Sequence, residues 1–316
     1  MIEYVLWIAA SLILLFFGAE WLVRGSAELA VRLGLTPLGI GLTVVAYGTS
    51  MPELIVSTKA ALAGQGDIAL GNVVGSNIFN VCVILGLSAL VYPMRVKMQL
   101  IRLDTPIMVG VSLLLLVFLR DFRISRVEAG LLFAGIIFYS VMNIRIARRE
   151  TSAEVKDQFA QAMPKKAGSL WRDLAFIVLG LAVLVVGSRL LVGNAVSLAK
   201  LLGISEAIIG LTIIAAGTSM PELATSIVAA LRKQPDIAIG NVVGSSIYNI
   251  LCILGCSGLL APIHGPGLKP LDLYVMMGSA ALLLPIMWTG FTVRRWEGGL
   301  LVAIYGGYLW MLWPKS

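Results

Sequence analysis

Long uncharged runs, separated by short polar stretches, set the pattern of this chain. Apolar stretches near Tyr4–Val23, Leu38–Ala63, Ile68–Tyr92, Pro106–Leu119, Val127–Ile144, Leu174–Val192, Ile204–Leu231, Ile237–Ala261, Leu271–Trp288 and Gly298–Trp313 predict ten helices able to cross a bilayer. Several are short or carry glycines, so their ends are soft. The first resembles a secretory leader only in hydropathy. Glu3 stands where a basic stretch would be, and no small-residue cleavage pattern precedes the next run, so it is expected to stay as a helix.

Composition agrees with that pattern. In 316 residues, 59% are hydrophobic and only 13% charged, with a mean hydropathy of +0.93, which is too apolar for a soluble domain of this size. The fold class expected is therefore an all-α integral membrane protein of the cell membrane. Cys82, Cys252 and Cys256 lie in apolar runs without a C-x-x-C spacing and read as buried small hydrophobes; His264 reads as a loop residue beside Pro262 and Pro266.

The apolar runs are not independent of one another. Gly39–Pro93 aligned without gaps on Ile208–Pro262, at an offset of 169 residues, gives 34 identities in 55 positions, and weaker likeness reaches back to Gly18 against Gly187. One unit is used twice. Each copy holds five predicted helices, and an odd number of crossings makes the second copy enter the membrane from the opposite side. The expected layout is a first repeat over residues 1–145, a polar linker over 146–172 and an inverted second repeat over 173–316. Such inverted repeats recur in secondary transporters, with the substrate site near the midplane at the repeat interface.

Charge then sets the orientation. Sixteen Lys and Arg residues fall in loops after odd-numbered helices, seven on the other side, and Lys59 sits within a helix. The positive-inside rule puts both termini outside and the 146–172 linker in the cytoplasm. This bias accounts for the net charge of +7, so no nucleic-acid partner is inferred, although the basic linker could touch anionic lipid.

The heptapeptide GTSMPEL occurs at Gly48–Leu54 and again at Gly217–Leu223, and places Glu53 and Glu222 in strongly apolar surroundings. Neither acid has an oppositely charged residue three or four positions away. A carboxylate at such depth costs on the order of 3 kcal/mol, so it should face protein or water and have a partner. A purely structural alternative exists: Ser50–Glu53 and Ser219–Glu222 fit a capping box, with proline in the first turn, restarting a helix after a break at Gly48 or Gly217. The neighbouring runs GNVVGSNIFN (Gly71–Asn80) and GNVVGSSIYN (Gly240–Asn249) put Ser76 with Asn80, and Ser245 with Asn249, on one helical face, with Asn72 and Asn241 a turn back. Their glycines also suit a close small-xxx-small helix contact. Collected about a pseudo-twofold axis, the donors are Glu53 and Glu222, the hydroxyls of Thr49, Ser50, Ser76, Thr218, Ser219 and Ser245, the amides of Asn80 and Asn249, and carbonyls freed near Ala46 and Ala215. These are hard oxygen donors without His or Cys. They suit calcium or sodium better than zinc, copper or magnesium. Two glutamates carry −2, which one calcium ion or bound sodium ions neutralise, so crossing should occur mainly with the site loaded.

With these residues in view, the whole chain resembles the cation/calcium exchanger superfamily, and most closely the prokaryotic-size sodium/calcium exchangers, whose two alpha repeats correspond to the doubled motifs above. The resemblance implies ten helices in two inverted halves and no cofactor, the ions being cargo. It also implies Glu53 and Glu222 as central ligands with Thr49, Ser50, Ser76, Asn80, Thr218, Ser219, Ser245 and the carbonyls of Ala46 and Ala215, and sliding of the first and sixth helices, which carry Gly18 and Gly187. Asn249 stands where some relatives carry an aspartate. That removes one possible charge and weakens a potassium-coupled or proton-binding role at this position.

Three alternatives remain at this level. A calcium/proton antiporter would use the same acids, since burial favours their neutral form. An intramembrane enzyme using the paired glutamates lacks a His ligand, a nucleophile with its base, or an Arg cluster beside the acids. A channel fits a neutralisable closed site poorly. No P-loop supports drive by ATP. Oligomeric state is not legible.

Overall fold

The computed structural model describes residues 1–149, 169–202 and 215–312. The chain is nearly all helical: α1 (Ile2–Leu33), α2 (Pro37–Thr49), α3 (Met51–Leu62), α4 (Gly66–Val91), α5 (Leu100–Asp121), α6 (Arg126–Arg149), α7 (Leu170–Leu201), α8 (Met220–Leu231), α9 (Pro235–Leu260), α10 (Pro270–Trp288) and α11 (Arg295–Leu312). Among the described residues seven helices are long and apolar enough to cross a membrane, or eight if the bent pair α2–α3 is one span. Most of the predicted linker, and the first part of the run predicted at Ile204–Leu231, lie outside the described residues.

Apolar residues occupy both the interior and the periphery, as a lipid environment allows. Helix α9 is buried along its whole apolar span and α4 nearly so, whereas α1, α6 and α7 leave large side chains such as Phe16, Phe138 and Val178 exposed. The central pair therefore forms the core, and the outlying helices present an apolar surface to lipid.

The helix ends correct several sequence expectations. The first run continues ten residues past Val23 to Leu33 and stops at Gly34, which takes the left-handed conformation (φ 64°) that only glycine adopts without cost. Hydropathy marks where a helix leaves lipid, not where it ends; here Arg24 and Glu28 pair at i, i+4, and Arg32 reaches Asp173 at 2.8 Å, holding the polar turns in helix. The run predicted over Leu38–Ala63 is bent by 47° between Thr49 and Met51, two residues beyond the expected break at Gly48. Pro52 explains the bend, because it offers no N–H to the carbonyl four residues back and its ring crowds that group.

Helices α1 and α7 pack antiparallel. Gly25 lies against Asp173 and Phe176, Gly18 against Gly180 and Leu184, and Gly187 against Leu14 and Leu15. The approach is backbone to backbone: a Cβ on Gly180 would stand 2.7 Å from the Leu22 amide nitrogen and 2.8 Å from the Gly18 carbonyl oxygen. Two short antiparallel ladders tie distant loops together. Met94–Arg95 (β1) pairs with Thr292–Val293 (β4), and Arg123–Ile124 (β2) with Ile263–His264 (β3). His264 thus belongs to a strand rather than a free loop. Shifting β1 by 169 residues gives β3, and shifting β2 gives β4.

Wider π-helical turns interrupt α2 at Gly41–Val45, α4 at Asn80–Leu85, α5 at Leu100–Asp104 and α9 at Asn249–Leu254. Two of them open on Asn80 and Asn249. Such turns cluster at functional positions because they release backbone groups from the regular ladder.

Candidate ion-binding site

Both copies of GTSMPEL fold alike. Ser50 and Ser219 stand as the residues before α3 and α8, with Pro52 and Pro221 in the first turn. Proline is tolerated there because the first helical N–H groups have no intrahelical acceptor. The capping-box expectation fails in one respect: neither serine side chain caps its own helix. Each hydroxyl crosses instead to the glutamate of the other copy, Ser50 Oγ donating to Glu222 Oε1 at 2.8 Å and Ser219 Oγ donating to Glu53 Oε1 at 2.9 Å. This crossing brings the two acids together at the junction of the copies.

Asn72 and Asn241 brace the crossing. Asn72 Nδ2 donates to Ser57 Oγ at 2.9 Å and to the Glu53 carbonyl at 3.3 Å, while its Oδ1 accepts from Thr218 Oγ1 at 3.2 Å. Asn241 repeats the arrangement with Ser226 Oγ at 2.9 Å, the Glu222 carbonyl at 3.2 Å and Thr49 Oγ1 at 3.1 Å. Thr49 and Thr218 are therefore held against the opposite copy. Ser76 Oγ lies 3.1 Å from Ser219 Oγ, and Ser245 Oγ donates to the Ala46 carbonyl at 3.3 Å. Ser57, Ser226, Asn72 and Asn241 were absent from the expected donor set. A signal existed, since each serine follows its glutamate by four residues, and each asparagine precedes Ser76 or Ser245 by four, in both copies.

The Ala46 carbonyl is not left free by the helix break. Ala46 O accepts from the Ser50 amide at 3.1 Å as well as from Ser245 Oγ. The carbonyls deprived of a helical donor lie four residues before each proline, at Gly48 and Gly217, and Gly217 O accepts Ser188 Oγ from α7 at 2.7 Å. Ala215 opens the turn Ala215–Gly217 at the edge of the described residues. The glycine contact is met in one copy: Gly240 and Gly244 lie against the backbone of Leu38, Gly41 and Leu42, a Cβ on Gly244 standing 2.7 Å from Leu42 O. Gly71 and Gly75 meet nothing within 4 Å among the described residues, and the positions matching Leu38–Leu42 fall at 207–211, outside them.

What the network leaves unsatisfied defines its chemistry. Glu53 and Glu222 are each 1% exposed, and among the described residues one oxygen of each, Oε2, has no hydrogen-bond partner; the same holds for Asn249 Oδ1 and for both amide atoms of Asn80. Among the described residues no basic side chain bonds to either acid, and no group of three His, Cys, Asp or Glu side chains gathers anywhere. Buried polar atoms are normally paired, and a buried charge without a partner is costly. Two buried acids ringed by hydroxyls and amides, with their second oxygens bare, form an acceptor cage for a hard cation.

The two amides at the π-turns differ. Asn249 Nδ2 donates to Asn77 Oδ1 at 3.0 Å, and Asn77 Nδ2 in turn reaches the Ser246 carbonyl at 3.2 Å. Among the described residues Asn80 has no such partner, because the residue matching Asn77 is Ser246, whose hydroxyl returns to Val242 O at 2.9 Å. The identical asparagines thus sit in unequal settings.

Comparison with known proteins places the chain. The sodium/calcium exchanger protein family matches residues 3–145 and 173–313. The chain is 37% identical over 319 residues, all of both chains, to the putative antiporter CaxA of Alkalimonas amylolytica. It is 32% identical over 339 residues to the sodium/calcium exchanger MaX1 of Methanosarcina acetivorans, covering 96% of each chain. A structure of the sodium-calcium exchanger NCX_Mj soaked with sodium and calcium superposes with a TM-score of 0.84 at 28% identity, over 99% of this chain and 100% of the other.

Proposed function

We propose that this integral membrane protein, which belongs to the sodium/calcium exchanger protein family, exchanges calcium for sodium by alternating access around a site built on Glu53 and Glu222. The observation that carries this reading is the crossed pair Ser50–Glu222 and Ser219–Glu53, with both Oε2 atoms bare and buried. Thr49, Thr218, Ser76, Ser245, Asn80, Asn249 and the Ala215 carbonyl complete the ligand set, and the Ala46 carbonyl joins it by exchanging its Ser245 hydrogen bond for the ion. The cargo is ionic, the oxygens are hard, and a loaded site is close to neutral, so the loaded form crosses the dry barrier and the empty form does not.

The architecture proposed is ten crossings in two inverted five-helix repeats, residues 1–145 and 173–316, joined by a cytoplasmic linker over 146–172, with both termini outside. Several features favour it. The 169-residue offset relates the hydrogen bonds of Asn72 to those of Asn241 and one β-ladder to the other. Equivalent helices α1 and α7 run antiparallel, as inversion requires. Each ladder, and the Lys97–Asp236 ion pair, joins loops that the charge bias assigns to one side.

The long pair α1–α7 is the element proposed to slide. It is held unequally: Arg232, at the end of α8, grips Glu20 of α1 through two nitrogens, while Arg189, the residue matching Glu20, makes no ion pair among the described residues. Arg189 instead borders a cavity of about 340 Å³ between α3 and α7, which Pro52, Ile55, Val192, Gly217 and Thr218 also line. One side is latched, and such unequal holding suits one state of an alternating carrier.

The test is calcium uptake by reconstituted vesicles with sodium, potassium and proton gradients imposed one at a time. Sodium alone should drive uptake. Drive by a proton gradient without sodium would replace this reading with calcium/proton antiport.

A further inference from the structure

The unequal amides carry a consequence for how the two halves hold an ion. We propose that Asn77 is a positioning residue: it fixes the amide of Asn249 so that its oxygen, not its nitrogen, faces the ion site, whereas no hydrogen bond among the described residues fixes the matching Asn80. The inference rests on the ion-site reading above and adds to it a residue from outside the donor set.

The argument is one of donors and acceptors. Asn77 is buried, and its Nδ2 faces the Ser246 carbonyl at 3.2 Å and the Met276 sulfur at 4.0 Å. Both neighbours only accept, so the NH₂ group must lie on that side and Oδ1 on the other. Asn77 Oδ1 therefore meets Asn249 as an acceptor, and Asn249 must present Nδ2 to it, as the 3.0 Å contact records. Reversing the Asn249 amide would set oxygen against oxygen. Its Oδ1 is then turned away from Asn77, where it is buried and has no partner among the described residues. Ser245, one turn earlier in the same helix, reaches across to Ala46. An aspartate at 249 would also place an oxygen against Asn77 Oδ1, so the asparagine at 249 and the acceptor at 77 suit each other.

In the first copy nothing among the described residues plays this part. Ser246 occupies the matching position but spends its hydroxyl on Val242 O. Both polar atoms of Asn80 remain without partners among the described residues, and either can face the site. The second repeat thus offers a preset oxygen ligand, and the first an amide that must be oriented when the ion arrives, at a cost in binding.

The test is a double-mutant cycle in the full-length reconstituted protein, reading the calcium concentration for half-maximal uptake and the maximal rate separately. Asn77→Ala should raise the half-saturating calcium concentration about three- to tenfold, the worth of one oriented hydrogen bond, with little change in maximal rate. In an Asn249→Ala background the same substitution should change nothing further. Asn77→Ser, which installs the residue of the other copy, should behave like Asn77→Ala and disturbs packing less, covering the case in which the alanine variant fails to fold. Equal effects of Asn77 substitution with and without Asn249, or parental affinity in both variants, would overturn the proposal. A parental protein without calcium uptake would instead overturn the exchanger reading, so the two failures are distinguishable.

Discussion

Replacing Glu53 by glutamine removes one negative charge and little else. Both acids are 1% exposed, and each receives one serine hydroxyl. A glutamine oxygen can still accept from Ser219, so the fold should survive. The charge balance does not. With both acids ionised the cage holds −2, and one calcium ion brings it to neutrality; with Glu53→Gln the loaded cage carries +1. Moving an uncompensated unit charge through the apolar interior costs on the order of 3 kcal/mol on insertion scales. At about 1.4 kcal/mol per tenfold, that slows the loaded crossing by about a hundredfold. Glu222→Gln should behave the same way, because its contacts mirror those of Glu53. The assay is initial calcium uptake under a fixed sodium gradient, with a melting curve of the purified variant as the folding control. Parental uptake in both variants would refute the reasoning; uptake lost together with the fold would locate the role of the acids in stability instead.

Three further predictions follow from single contacts. Ser50→Ala and Ser219→Ala each strip the hydrogen-bond donor from a buried acid, worth about 1.5–3 kcal/mol when the partner is charged; each should raise the half-saturating calcium concentration about ten- to a hundredfold, and an effect in only one would contradict their mirrored geometry. Gly180→Ala places a Cβ 2.7 Å from the Leu22 amide nitrogen, so α1 and α7 must separate, at about 1–3 kcal/mol; the melting temperature should fall by several degrees, and an unchanged value would refute the close packing. Arg232→Gln breaks the Glu20 contact, but the Arg232 side chain is 56% exposed, so the loss should stay below about 1 kcal/mol; hydrogen exchange around Glu20 should rise less than about fivefold with the fold retained, and unfolding would show that the latch carries more than an exposed pair can.

Much of the site is legible because local chemistry is specific. Glu53 and Glu222 stand out as acids without an intrahelical partner, and Ser50, Ser219, Ser76 and Ser245 recur at fixed offsets from them. The destinations of these groups are not legible. That Ser50 serves Glu222 rather than its own helix depends on two segments 172 residues apart meeting. The proline rule points to Gly48 and Gly217 as the carbonyls losing their donors, yet only the packing of α7 supplies Ser188 to the second of them. The ends of α1 and the bend at Ser50 escape hydropathy because charge pairs and a proline decide them.

By itself the sequence determined that this chain is a helical membrane protein, that one unit occurs twice, and that each copy brings one buried acid and a set of hard oxygens. Those properties follow from composition, periodicity and the hydration cost of charge, which act residue by residue. The tertiary structure alone decided which oxygen is paired and which is bare, because a repeated sequence can be satisfied within a copy or across copies with the same local preferences. It also decided that the copies differ: Asn80 and Asn249 lie in nearly identical stretches, yet the Asn249 amide donates to Asn77 whereas, among the described residues, the Asn80 amide has no partner, the residue matching Asn77 being Ser246.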